Sequence, residues 1–128
     1  MKSSEQERLE IENTLKEGNF INKNDSLELT EKGDYWEKFL LFRQQVRGYY
    51  YFTKEKIVFL GGLASSTQLS ISYKDIKNIK KCQVGLFVPC GILITAFNEK
   101  KNKDVKYKLS LLKRDKWIKY IEKKVSNK

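Results

Sequence analysis

From Trp36 to Leu111 the spacing of apolar positions tends towards two in short runs, while near both ends of the chain it lengthens to three and four. The first spacing marks half-buried strands and the second marks helices. Leu9, Ile11 or Glu12, and Leu15 lie on one helical face, with Ser3 and Ser4 as capping candidates ahead of them and Gly18 as the stop, so an amphipathic helix opens the chain. Residues 19 to 34 are polar and turn-rich and read as a connector, with one short alternating run at Leu27 to Leu29. Tyr35 to Phe42 fits helix or strand and is taken as strand, after which Gln44 to Gly48 turns the chain.

Tyr49 to Thr53 and Ile57 to Leu60 have hairpin spacing around the polar turn Lys54-Glu55-Lys56. The Gly- and Ser-rich run after Leu60 is a loop, and Leu69, Ile71 and Tyr73 then alternate with serines. Ile76 to Val84 is a strand that ends at the turn Gly85 to Pro89. Gly91 to Phe97 is apolar and β-branched, and Val105, Tyr107, Leu109 and Leu111 alternate with lysines and Ser110. The total is about seven strands. Trp117, Ile118, Ile121 and Val125 return to helical spacing with lysines opposite, so a terminal amphipathic helix covers something apolar. The class is α+β, a strongly bent antiparallel sheet or partly open barrel closed by that helix.

At 128 residues the chain suits one domain with a real core. The formal charge of +10 is unevenly spread: residues 1 to 40 hold 6 Lys/Arg and 10 Asp/Glu, a net of −4, and the rest hold 20 and 6, a net of +14. Residues 1 to 35 are expected to form an acidic N-terminal helix and connector, and residues 36 to 128, where the period turns to that of strands, the folded domain. The acidic arm either folds back over the basic body or docks on a second copy, which leaves a homo-oligomer open.

Several chemistries are disfavoured. With no histidine the chain lacks the commonest general base and zinc ligand, and two cysteines, Cys82 and Cys90, are a poor metal set. Gly61-Gly62 is not followed by the Gly-Lys pair of a phosphate-gripping loop. The expectation is a non-enzyme with no cofactor and no metal. Cys82 and Cys90 are expected to face each other across the Gly85 to Pro89 turn as reduced thiols. The acidic start is unlike a secretory signal, and no run reaches the roughly eighteen apolar residues of a membrane span. A cytoplasmic location is expected, with a peripheral position at the inner membrane face as the alternative.

The stretch "GYYYFTKEKIVF" resembles the signature of GRAM-type domains of the pleckstrin-homology-like superfamily: a Gly, a short aromatic or aliphatic strand, Thr, two polar residues, a basic residue, an aliphatic and Phe. Gly48, Thr53, Lys56, Ile57 and Phe59 fall in register, with Lys56 where Arg is usual. "ISYKDIKNI" and "GILIT" resemble later strands of that family, and Trp117 sits where its closing helix plugs the barrel. The similarity covers residues 36 to 125. It implies a structural role for these residues and an interaction module that binds proteins, phosphoinositides or acidic lipids.

In lipid-binding members the loop between the first two strands carries several basic residues. Here Arg43 and Arg47, with Lys54 and Lys56 further on, are the candidates for an anion or partner surface. A protein partner leads, with anionic headgroups at a membrane surface as the alternative. Nucleic acid is a further alternative and is disfavoured: only 4 of the 26 basic residues are arginines, and "LELTEKG", similar to a winged-helix segment, has too little chain before it for three helices.

Overall fold

A computed structural model describes residues 3–39, 42–83 and 90–126. Helix α1, Ser4–Glu17, begins on a capping box in which the Gln6 amide donates to Ser3 Oγ and the Ser3 amide donates to Gln6 Oε1. Gly18 caps its other end, as expected. Seven strands follow: β1 (Leu27–Phe39), β2 (Phe42–Thr53), β3 (Lys56–Gly61), β4 (Thr67–Ser72), β5 (Ile76–Cys82), β6 (Gly91–Asn98) and β7 (Lys103–Ser110). Helix α2, Arg114–Ser126, closes the described chain. The expected α+β class and its seven antiparallel strands are borne out.

The strands form one sheet in the order β4-β3-β2-β1-β7-β6-β5, antiparallel at every pairing. Its edges, β4 and β5, stay apart, so the barrel is open along one seam. The two halves are joined between β1 and β7 only at Asp34↔Ser110 and Tyr35↔Leu109. There the sheet folds over its own inner face, and the main core fills the fold.

Two expectations about the first hairpin are corrected. The connector gives way to strand sooner than expected: β1 begins at Leu27, at the short alternating run, and continues to Phe39. Gln44 to Gly48 is not a turn but the interior of β2, paired from Glu37↔Gln44 to Gly33↔Gly48. Gly48 is there for close approach, not for turning: a Cβ on it would lie 2.3 Å from the Leu60 carbonyl oxygen and 2.6 Å from the Gly61 Cα. The turn expected at Gly85 to Pro89 lies outside the described residues.

Inside the bent sheet Tyr50, Phe52, Phe59, Ile57, Ile92, Ile94 and Leu109 are buried, and Trp117 and Ile121 of α2 cover them. Trp117 is 1% exposed and plugs the core end, as its helical spacing implied. A second, smaller core lies on the outer face, where Ile11 and Leu15 of α1 pack with Phe20 and Ile21 against Tyr51, Val58 and Leu60. Each such aliphatic side chain removed from water contributes about 1.5–3 kcal/mol, so α1 is part of the domain's packing and not a loose arm.

Two acids of α1, Glu5 and Glu12, are engaged locally. Arg8 bridges Glu5 and Glu12, Lys16 bridges Glu12, and Glu12 also accepts the Leu27 amide at 2.8 Å. These ion pairs lie within α1, and its tie to the sheet runs through the first residue of β1.

Candidate interaction groove

The β2–β3 turn is held by a carboxylate that sequence reasoning missed. Asp25, 2% exposed, accepts from the Thr53 hydroxyl at 2.7 Å through Oδ2, and from the Ser26 and Glu55 amides through Oδ1. Thr53, fully buried, accepts in turn from the Lys56 amide at 3.0 Å. This network fixes the directions in which Lys54 and Lys56 leave the sheet.

The four basic residues expected to share a surface do not share one. Arg43 and Arg47 lie on the outer face of β2, Arg43 donating to the Trp36 carbonyl at 3.0 Å and Arg47 standing opposite Asp34. Lys54 and Lys56 flank the turn at the other end of the same strand. An extended chain rises about 3.3 Å per residue, so roughly 36 Å of strand separates Arg43 from Lys54.

The surroundings of Lys56 are the open seam. A groove of about 770 Å³ runs between β4, which contributes every residue from Gln68 to Ser72, and the end of β6 with its following turn, including Phe97, Glu99 and Lys100. Phe20 and Asn22 close one side. At the Ser72 end it continues into a recess of about 550 Å³ lined by Lys54, Lys56, Tyr73, Lys74 and Lys124. Lys74 and Lys124 arrive from a short 3₁₀ turn and from α2, and nothing in the linear pattern linked them to Lys54.

Behind the recess the Lys124 ammonium pairs with Glu28, which also accepts the Tyr120 hydroxyl. Burial works against the Glu28 carboxylate, but Lys124, Tyr120 and Lys54 outweigh it and hold its pKa below the usual carboxylate range. The Tyr73 phenol, 3% exposed, is pushed well up by burial, with Tyr120 and Glu28 adding to the rise. It therefore stays protonated and adds no negative charge to the lysines.

Lys108, Arg114, Arg43 and Lys80 all act electrostatically on Cys82, yet burial outweighs them and raises its thiol pKa. Among the described residues the buried N–H groups Trp36 Nε1, Arg114 Nε and Trp117 Nε1 have no hydrogen-bond partner. Cys82 does not face Cys90: its partner across the ladder is Gly91, and Cys90 Sγ meets Ser110 Oγ at 2.9 Å. The register differs by one residue from that expected, which turns the two thiols away from each other. Both are free.

Among the described residues no His/Cys/Asp/Glu group of three or more is placed to hold a metal, and no helix is long and apolar enough to cross a membrane. No protein-family model matches the chain, and no curated protein matches it. Solved structures do. The C-terminal domain of an unknown protein from Leishmania infantum superposes with a TM-score of 0.66 at 19% identity, covering 90% of this chain and 97% of that one. The Vps36 N-terminal PH domain gives 0.56 at 15% identity, over 84% and 83%. The DH/PH domains of p115-RhoGEF give 0.60 at 9% identity, over 88% of this chain and 34% of that longer one.

The fold is pleckstrin-homology-like. Within this PH-like fold the signature residues carry packing roles. Gly48 admits the β3 backbone, Thr53 ties the β2–β3 turn, Ile57 and Phe59 are fully buried, and Trp117 closes the core. Lys56 alone among them reaches the groove.

Proposed function

We propose that this chain is a non-catalytic PH-like interaction module that binds a protein partner in the groove beside β4. The observation that carries the reading is that one wall of the groove is an edge strand from Gln68 to Ser72, and the free backbone groups of an edge strand suit a peptide chain. The Gly48-to-Phe59 signature supports a GRAM-type subclass within the fold. A cytoplasmic location, with the protein acting as an adaptor or scaffold, accords with the reading.

The electrostatic pull of Arg43, Lys80, Lys108 and Arg114 on Cys82 favours a second reading, in which these basic side chains meet anionic headgroups at a membrane surface. The two are separated by offering the full-length chain a source-cell extract and, independently, vesicles rich in phosphatidylserine. The protein reading expects a stoichiometric partner retained as salt rises and little vesicle binding. Salt-sensitive vesicle binding with no retained protein would overturn it.

A further inference from the structure

The two edges of the sheet are built differently. β5 carries Lys77, Lys80 and Lys81 within Ile76–Cys82, and Lys81 reaches Asp115 of α2 at 2.9 Å. Lysines on an edge discourage a stray strand from pairing, because an incoming chain must desolvate or displace them. β4, with the sequence TQLSIS, carries no charge, no proline and no register shift against β3. Its residues Gln68 and Ser70 are exposed on one face, while Leu69 and Ile71 turn inward on the other. An antiparallel edge strand leaves alternate N–H and C=O groups directed away from its partner, and residues Gln68 to Ser72 of β4 line the groove.

We infer that β4 is an acceptor edge: a partner protein adds an extended segment to it as an eighth strand, with an acidic residue at the end of that segment lodged among Lys54, Lys56, Lys74 and Lys124. The inference rests on the groove reading above and specifies its mode. Main-chain hydrogen bonds to β4 supply the attachment. Selectivity comes from charge at the Ser72 end, where Lys54, Lys56, Lys74 and Lys124 line the recess with one lining carboxylate, Glu55, which contacts Asn22, and with Glu28 behind it paired to Lys124. At the opposite end Gln68 and Leu69 offer no charge, so the segment is acidic at one end only.

The test uses a phage-displayed library of random twelve-residue peptides selected on the full-length chain. A selected peptide is then measured against the parent, Ser70→Lys and the double variant Lys54→Glu/Lys74→Glu, with amide hydrogen exchange recorded along β4. The inference expects selected peptides to carry carboxylates toward one end and to slow exchange of alternate β4 amides. It also expects Ser70→Lys to weaken binding about tenfold without lowering the melting temperature, and the double variant to weaken it by a similar factor.

Peptides that bind yet leave β4 exchange and the Ser70→Lys affinity unchanged would overturn strand addition while leaving the groove reading standing. Protection of β4 that appears without peptide and grows with chain concentration would assign the edge to a second copy and overturn the inference. A library that yields no binder counts against the inference and the groove reading together.

Discussion

Trp117 lies flat on Phe52, with ring centroids 4.3 Å apart and planes 10° from parallel, while Tyr120 meets both rings edge-on. One stacked pair thus joins the closing helix to the second strand. Trp117→Ala should cost about 3–5 kcal/mol, since the vacated volume is walled by the sheet and cannot collapse. Equilibrium urea unfolding checks this, and unchanged stability would mean that α2 does not plug the core.

The Asp25–Thr53 hydrogen bond, at 2.7 Å, is shared with three backbone amides of the turn regions. Thr53→Val keeps the shape but leaves Asp25 Oδ2 and the Lys56 amide without their partner. The expected loss is about 1–3 kcal/mol. Because the same network aims Lys54 and Lys56, the Asp25→Ala variant should also weaken any acidic ligand of the recess, which a binding titration on the folded variant reads directly.

Burial opposes ionisation of Glu12, but the Leu27 amide, Lys16 and Arg8 together outweigh it, and its pKa lies below the usual carboxylate value. A carboxylate depressed in the folded state stabilises above its unfolded pKa, about 4.3, and that contribution disappears as pH falls through the folded value. The stability difference between the parent and Glu12→Gln should therefore be larger at about pH 6 than at about pH 3. Denaturant unfolding at the two pH values measures it, and a constant difference would show that the Glu12 charge does not fasten α1 to β1.

Cys82 pairs across the ladder with Gly91 and not with Cys90. Mild oxidant should accordingly leave two free thiols in the monomer, counted after unfolding. An intramolecular disulfide would contradict the register.

Much of the fold was legible because its period was. Leu69 and Ile71 of β4, Val105 to Leu109 of β7, and the Trp117-Ile118-Ile121 stripe each declared their element through which positions are apolar. β2 was cut short because Arg43 to Gly48 offers a single buried apolar residue, Val46, so no alternation appears, and Gly48 looks like a turn when it serves backbone approach. The candidate surface was read less well. Arg43, Arg47, Lys54 and Lys56 are close in sequence, but a strand converts sequence separation into distance, and one continuous strand carried the pairs apart. Lys74 joins Lys54 only after the chain has passed along β3 and β4, and Lys124 only after it has passed along five strands and entered α2. That β4 is a strand could be read from TQLSIS; that it is an edge depends on which strands it fails to meet.

The central claim, that the partner of this domain is a protein seated along β4, is tested most directly by placing a photo-crosslinking amino acid at Ser70, and in a parallel sample at Lys106 on the outer face of β7, and irradiating the source cell. The account predicts a discrete adduct with another protein from position 70 and none from position 106. An adduct from position 106 alone, or none from either while the chain sediments with anionic vesicles, would contradict it.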